Sequence, residues 1–166
     1  MNVTVSPVRT VRVMPRDVRM SSVELTDRES TFESDTHADT CCLGKGALEI
    51  YDHMQPVNVH GYDHTLGVQS YRTISGVLGY DHPYDGTRYH LVIHQAVSIP
   101  RMDHHLFNPM QARVNGVEVN DVPRFLTINP TDETYSIVAQ DEYGERVCLP
   151  FSLNGVVSYL TTSSVS

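Results

Sequence analysis

The apolar positions of this chain fall in short runs that begin near residue 30 and are separated by Gly, Pro, Asp and Asn. Residues 48 to 51 and 57 to 59 alternate apolar and polar side chains, which is the pattern of strands buried on one face. The runs are short, and turn-forming residues lie between them. This pattern predicts an all-β domain.

Two β-hairpins are expected within the domain. Residues 74 to 80 and 87 to 99 are rich in β-branched and aromatic side chains, and the segment 81 to 86 between them reads Asp-His-Pro-Tyr-Asp-Gly, a sequence favourable for a turn. Earlier in the chain, the glycine-bearing segment from Gly61 to Gly67 separates the strand-like runs at 57–59 and 68–74. We expect that segment to be the tip of another hairpin.

One short helix is predicted at Pro109 to Arg113, because Asn108 before it is a good N-cap residue and Pro is favoured at the first helical position. Strands are predicted after the helix at 117–119, 136–139 and 147–151. The chain is thus divided into a flexible leader (1–28, with at most one edge strand, near residues 8 to 13), a core (29–114), a C-terminal β extension (115–157) and a polar tail (158–166).

Composition narrows the classes of function. The chain has 166 residues and a formal net charge of -8, which argues against nucleic-acid binding, and the four arginines of its first 22 residues have no aromatic side chains among them. The sequence has no apolar run of about 18 residues and no secretory signal, so we expect a cytoplasmic protein without a membrane span. Three cysteines without a Cys-x-x-Cys pair are expected to be free thiols.

The only stretch that suggests a reaction is Asp35-Thr36-His37-Ala38-Asp39. Two carboxylates about 3 Å apart share one proton and can act as general base and general acid on a peptide carbonyl. The chain offers a second Asp-Thr only at Asp39-Thr40, which is too near in sequence to come from an opposing loop. The simplest completion is a two-fold homodimer in which each Asp35 faces its symmetry mate.

This turn and a later segment together resemble the retropepsin protease of copia-type LTR retrotransposons, a part of the Gag-Pol polyprotein. Residues 35 to 39 are similar to the family's Asp-Thr/Ser-Gly-Ala turn. Residues 96 to 100 (Ala-Val-Ser-Ile-Pro) and 105 to 111 (His-Leu-Phe-Asn-Pro-Met-Gln) resemble a strand ending in Val-Pro, an apolar pair and a short helix. Two positions differ from the family pattern: its Gly is His37 here, and its small residue after the apolar pair is Asn108.

The resemblance implies a closed retropepsin β-barrel with extra C-terminal strands, and a homodimeric aspartic endopeptidase that processes its own polyprotein without a cofactor or metal. The enzyme would act in the cytoplasm, or in a virus-like particle. The site residues carried over from the family serve three roles. Catalysis is implied for Asp35 and Thr36; substrate binding for His37, Ala38, Asp39, Gly61, Tyr62 and Gly67, the last three in a flap; and support of the catalytic loop for Leu106, Phe107 and Asn108.

Other interpretations of the same residues stay open. Asp35-Thr36 can be an ordinary turn, and a retropepsin-like dimer can persist as a non-catalytic interaction module. His60 and His64 have zinc-like spacing, but no matching cysteine pair accompanies them. Cys41 or Cys42 beside a histidine can be considered as a nucleophile, although no cysteine-protease sequence pattern surrounds either residue.

Overall fold

A computed structural model describes residues 2–4, 10–13, 28–61 and 67–165 of the chain, and only the backbone at 2–4, 10–13, 60 and 61. The described residues are mostly β-strand with one short α-helix, so the predicted all-β class is confirmed. The strands are β1 Asn2–Thr4, β2 Thr10–Val13, β3 Glu29–Ser34, β4 Cys42–Leu43, β5 Leu48–Gly61, β6 Val68–Asp81, β7 Arg88–Ser98, β8 His105–Phe107, β9 Glu118–Asn120, β10 Ser136–Gln140, β11 Arg146–Pro150, β12 Ser152–Asn154 and β13 Val157–Ser163; the helix is α1, Pro109–Val114.

Ten of these strands belong to one sheet, in the order β1-β7-β4-β8-β3-β13-β6-β5-β2, with β12 paired to β13. In addition, β6 pairs with β7, so the pairings that lead from β7 through β3 to β6 return to β7. The contact between β13 and β6 is a single residue pair, Ser163 with Gly79. The predicted strands after the helix form a separate antiparallel sheet in the order β11-β10-β9.

Both predicted hairpins are present. Strands β5 and β6 pair antiparallel from Leu48 with Val77 to His60 with Val68, and β6 and β7 pair from Thr73 with Val97 to Asp81 with Arg88. The 14-residue strand β6 is therefore common to both hairpins. Residues 62 to 66, at the tip of the first hairpin, lie outside the described residues.

The predicted helix is also confirmed at α1. Asn108 is its N-cap, with a side chain that accepts a hydrogen bond from the Gln111 backbone N–H at 2.7 Å, and Pro109 is its first residue. Among the residues described, no helix has the length and apolar composition needed to cross a membrane.

The chain ends differ from the sequence expectation. Most of β13 lies in the segment predicted as a polar tail, and β13 pairs antiparallel with β3 through Tyr159–Ser163. The physical reason is that serine and threonine can occupy buried strand positions when their hydroxyls bond each other, as Thr162 and Ser30 do at 3.1 Å. In the leader, β1 pairs parallel with β7 and β2 pairs parallel with β5. The rest of the leader lies outside the described residues.

Two apolar clusters lie on opposite sides of the central strands. The larger contains Phe32 of β3, Phe107 of β8 and residues of β6, β7, β10 and β11. The rings of Phe32 and Phe107 meet edge to face with centroids 5.4 Å apart. The smaller cluster contains Ala38, Cys42, Val57, Val59, Val97, Ile99 and Leu106.

A buried histidine joins four segments of the fold. The Nδ1 atom of His105 accepts a hydrogen bond from the Gly44 backbone N–H at 2.9 Å, so Nε2 carries the proton and donates to the Ser30 hydroxyl, also at 2.9 Å. Ser30 in turn contacts Thr162 of β13. Gly44 is required for this approach, because a Cβ there would collide with the backbone carbonyls of Met102 and His104.

We predict that this histidine makes the fold sensitive to acid. Burial lowers the pKa of His105 from 6.5 to about 4, with a smaller contribution from the charge of His104. Between these values the unfolded chain binds the proton and the folded chain does not, so stability falls as the pH falls, by up to about 3 kcal/mol. Urea denaturation from about pH 7 to about pH 4.5 measures this loss.

The matched variants for this test are His105→Asn and His90→Asn. Asparagine at 105 retains an acceptor near Gly44 but cannot titrate, so it lowers stability at neutral pH and flattens the pH dependence. His90 is exposed, and its replacement is expected to leave the dependence unchanged. An unaltered pH slope in His105→Asn would contradict the assignment.

Candidate active site

Asp35 lies directly after β3 and is held by the neighbouring parallel strand. Strands β3 and β8 pair through Phe32 with His105 and Ser34 with Phe107, and the Asp35 backbone N–H continues this ladder by donating to the Phe107 carbonyl at 2.9 Å. Only 6% of the Asp35 surface is exposed. The position of its backbone is thus fixed by a segment more than 70 residues away in the chain.

The residues after Asp35 form a tight turn with an exposed outer side. The Asp35 side chain accepts a hydrogen bond from the His37 backbone N–H at 2.9 Å, which is the Asx-turn geometry of an aspartate at a chain reversal. Thr36, His37 and Asp39 are exposed, and Ala38 is 2% exposed. The turn therefore presents a hydroxyl, an imidazole and a carboxylate on the surface next to a buried carboxylate.

His37 occupies its position without backbone strain. The non-glycine residues of the described chain that have positive φ are Met54, Gln95, Asn129 and Tyr135, and His37 is not one of them. A glycine is required where φ is positive or where backbones approach closely. Because His37 has an ordinary φ and its side chain is exposed, the turn accommodates a histidine at this position.

The segment Leu106–Asn108 lies beneath the turn. Leu106 and Phe107 are buried, and they face different apolar clusters, as adjacent residues of a strand do. The Asn108 side-chain amide donates to the Ala38 carbonyl while its oxygen caps α1. One side chain thereby joins the turn to the helix.

A second contact between turn and helix was not anticipated from the sequence. Gln111 of α1 is buried, and its side-chain oxygen accepts a hydrogen bond from the Cys41 backbone N–H at 3.2 Å. Gln111 is a polar residue on the buried side of α1, but the local sequence does not identify Cys41 as its distant donor. Asn108 and Gln111 together bond the backbone on both sides of Asp39 and Thr40.

The two adjacent cysteines do not have the properties of nucleophiles. Cys41 and Cys42 are fully buried. Burial raises the pKa of the Cys41 thiol to about 12, against a smaller lowering by the Asn108 backbone N–H. Burial, and then the charges of Cys41, Asp35 and Asp39, raise the pKa of Cys42 still further. Both groups are thiols at neutral pH, whereas cysteine catalysis requires an accessible thiolate.

The hairpin of β5 and β6 packs on the turn through the smaller apolar cluster. Val57 and Val59 of β5 belong to it together with Ala38 of the turn and Leu106 of β8. Of the predicted flap residues, Tyr62 lies outside the described residues, Gly61 is described by its backbone alone, and Gly67 has φ of +69°, a conformation that favours glycine. The described part of this hairpin is therefore adjacent to the candidate site.

Two ionisable residues near Asp35 were missed by the sequence interpretation. Glu33 precedes Asp35 by two positions on β3 and is 4% exposed, and His104 lies just before β8 with its Nε2 atom 3.9 Å from the Glu33 carboxylate. β3 contains a single apolar residue, Phe32, so its sequence gave no signal for the burial of Glu33, and the proximity of Glu33 to His104 depends on the pairing of β3 with β8. In the described part of the chain, no group of three or more His, Cys, Asp or Glu side chains could hold a metal ion.

No protein-family model, curated protein or solved structure matches the chain. The residues of the turn and their contacts are therefore the basis on which a function is proposed.

We predict that Asn108 stabilises the turn and the helix together. Asn108→Ala removes the helix cap and leaves the Ala38 carbonyl without its buried donor, at an expected cost of about 2–4 kcal/mol. Asn108→Ser keeps a capping oxygen and loses the amide donor to Ala38, so we expect an intermediate loss. Urea unfolding of the three proteins measures both contributions. A Ser variant as stable as the wild type would show that the contact with Ala38 contributes nothing.

Proposed function

We propose that this chain is a retropepsin-like aspartic endopeptidase that acts as a homodimer on the Gag-Pol polyprotein of a copia-type element. The observation that carries the proposal is the buried Asp35 carboxylate, held by β8 and followed by an outward-facing Thr36 and Asp39. The order of turn, hairpin, apolar pair and helix along the chain supports it, because this is the order of the family that the sequence resembles. Cleavage would take place in the cytoplasm or in a virus-like particle.

The homodimer follows from having one such turn per chain. A two-fold axis next to the turn would bring Asp35 of each protomer together, and the exposed Thr36 hydroxyl is available to bond across the interface. Cyclic two-fold dimers are the commonest closed assemblies, and they place identical residues opposite each other at the axis. Thr36 would then brace the two carboxylates.

The two Asp35 carboxylates would share one proton and hold a water molecule between them. The ionised carboxylate takes a proton from this water as its oxygen attacks the peptide carbonyl, and the protonated carboxylate donates its proton to the carbonyl oxygen. When the tetrahedral intermediate collapses, the C–N bond breaks and the carboxyl that took the water proton donates it to the leaving nitrogen. The other carboxylate takes the proton back from the former carbonyl oxygen, which restores a dyad with one proton. No cofactor takes part in these steps.

The surrounding residues would form the substrate cleft. Asp39 is exposed next to the buried Ala38, and Ala38 packs against Val57 and Val59 of the β5–β6 hairpin. Both residues would contribute to the cleft, and the hairpin would close over the substrate as a flap that excludes water. In this proposal the larger sheet, whose pairings return on themselves, corresponds to the closed barrel of the family. The sheet of β9, β10 and β11 is an addition to that barrel.

A non-catalytic dimer is the second candidate, and His37 is the observation that favours it. The imidazole is exposed directly after Thr36, where the family has a glycine. In a dimer, two such side chains would flank the axis and could occupy the space needed by substrate. The fold and the dimer would then persist as an interaction module without hydrolysis.

We predict that self-cleavage depends on Asp35. The chain is expressed with flanking polyprotein on both sides and incubated between about pH 5 and pH 6, where a dyad can retain one proton. Asp35→Asn is nearly isosteric and keeps the oxygen that accepts from His37, so we expect cleavage to be abolished with little change in thermal stability. Fragment formation followed by gel electrophoresis and mass spectrometry measures the effect.

The matched control is Asp85→Asn, which removes an exposed aspartate in the turn between β6 and β7 and is expected to leave cleavage intact. Cleavage that persists in Asp35→Asn would rule out the catalytic assignment. A wild-type protein that is folded and dimeric but uncut would favour the interaction module, and restoration of cleavage by His37→Gly would identify the imidazole as the obstruction.

We also predict that Thr36 contributes to dimerisation. Thr36→Ala removes one hydroxyl from each protomer, and two buried hydrogen bonds of about 1 kcal/mol each correspond to roughly thirtyfold weaker association. Sedimentation equilibrium measures the dissociation constant, with the exposed Thr87→Ala in the β6–β7 turn as control. An unchanged dimer affinity in Thr36→Ala would remove Thr36 from the interface.

A further inference from the structure

Four large apolar side chains are exposed in one short segment between β9 and β10. They are Val122, Phe125, Leu126 and Ile128, and we call them the apolar turn. Phe125 is 76% exposed, whereas the other three phenylalanines of the chain are buried, and Ile128 is 90% exposed. Single exposed apolar residues are ordinary on protein surfaces, but a group of them marks an interaction site. The apolar turn is therefore a candidate binding surface.

Hydrogen bonds hold this segment in a defined conformation. One turn of 3₁₀ helix spans Arg124–Leu126, and the Thr127 backbone N–H donates to the Arg124 carbonyl at 3.1 Å. The Thr127 hydroxyl donates to the Pro123 carbonyl at 3.0 Å, and the Arg124 guanidinium donates to the Thr131 carbonyl at 2.7 Å. A preorganised surface loses less conformational entropy when a partner binds. The apolar side chains are thus presented by an ordered backbone.

A cavity of about 430 Å³ lies beside the apolar turn and carries negative charge. Its lining includes three carboxylates and two residues with apolar surface, Glu118, Asp121, Glu133, Val122 and Tyr135. Arg146 pairs with Glu118 at 3.1 Å and with Glu133 at 2.9 Å, and Arg113 pairs with Asp121 at 3.2 Å. Two arginines are shared by three carboxylates, so an excess of negative charge remains at the cavity.

The strands and turns around the cavity add to this negative charge. Residues 115–157 contain seven Asp or Glu and two Arg, a net charge of -5, whereas residues 1–114 contain thirteen Asp or Glu and ten Lys or Arg, a net charge of -3. Asp132, next to Glu133 in the chain, is exposed. The apolar turn therefore lies in the most acidic part of the chain.

Charge decides which kind of partner fits this surface. A second copy bound through the same surface would place two acidic regions opposite each other, and like charges across an interface oppose association. Nucleic acids and the anionic surface of a membrane are repelled for the same reason. Lysine and arginine complement the carboxylates, and apolar side chains beside them can cover the apolar turn. The surface fits a peptide segment that is both cationic and apolar.

We propose that the apolar turn and the adjacent cavity bind a basic peptide segment of another protein, in which lysine or arginine flanks large apolar side chains. The apolar side chains of the peptide cover Phe125 and Ile128, and its cationic groups meet Glu133 and the other carboxylates of the cavity. The surface uses none of the residues assigned to catalysis. The inference therefore goes beyond the proposed peptidase function and does not depend on it.

The first experiment selects binders from a displayed library of random peptides. The whole chain is the target, and the double variant Phe125→Ser, Ile128→Ser is used for counter-selection. The double variant keeps every charge, so peptides that bind by charge alone are retained by both proteins and discarded. We expect the peptides specific to the wild type to be enriched in Lys or Arg and in large apolar residues. Specific peptides without this basic enrichment, or no specific peptides, would overturn the proposal.

The second experiment measures the dissociation constant of the strongest selected peptide, with a fluorescent label, by fluorescence anisotropy. Ile128→Ser is compared with Val156→Ser, which removes another exposed β-branched residue in the turn between β12 and β13. Glu133→Gln is compared with Glu49→Gln, because Glu49 is an exposed glutamate paired with an arginine on the larger sheet. We expect Ile128→Ser and Glu133→Gln to weaken binding by about tenfold or more, and the two controls to leave it unchanged.

These variants also separate the proposed partner from a second copy of the chain. Equal affinity of the wild type and Ile128→Ser for the peptide would overturn the proposal. Sedimentation equilibrium of the wild type and Phe125→Ser is expected to give the same self-association. Self-association weakened about tenfold by Phe125→Ser would assign the apolar turn to an interface between copies, against the proposal. No readout uses cleavage, so an inactive Asp35 site would leave the outcome of these measurements unaffected.

Discussion

The parallel pairing of β3 with β8 is the interaction on which the rest of the site depends. It places the Phe107 carbonyl where the Asp35 N–H can bond it, brings His105 between Ser30 and Gly44, and starts α1 under the turn with Asn108 as cap. A shift of one residue in this pairing would exchange the faces of Leu106 and Phe107, which pack in different clusters. The register of the β3–β8 pairing thus determines both the position of Asp35 and which residues of β8 pack in each of the two apolar clusters.

The sequence was sufficient for the features that local pattern and turn chemistry determine. Alternation and turn residues predicted the two hairpins, and Asn108 followed by Pro109 predicted α1. It was insufficient where stability comes from distant pairing. Most of β13 was predicted as a polar tail because it is rich in serine and threonine. Its place in the sheet depends on partners such as Ser30, which bonds the Thr162 hydroxyl from more than 130 residues away. Glu33 and His104 were overlooked for the same reason, since their proximity comes from neighbouring strands.

Among the described residues, two of the four non-glycine residues with positive φ lie in the hairpins, and none lies in the Asp35 turn. Met54 and Gln95 have φ near 55°, each at an irregularity of the strand pairing, and each follows a histidine that contacts Ser75 of the central strand β6. Left-handed conformations of such residues cost about 1 kcal/mol or more and persist where surrounding contacts require them. The hydrogen bonds of His53 and His94 to one buried serine are such contacts, and they link the three strands at the base of the hairpin.

The proposed chemistry and the observed fold place opposite demands on pH. A dyad of two aspartates works when it holds one proton, which acid favours. His105 must instead remain neutral, because protonating Nδ1 removes the acceptor for the Gly44 N–H and places a charge in a fully buried position. With the pKa of His105 lowered to about 4, the fold tolerates mild acid and loses stability progressively below pH 6.5. The acid limit of the proposed activity would then be imposed by the β3–β8 junction that holds Asp35.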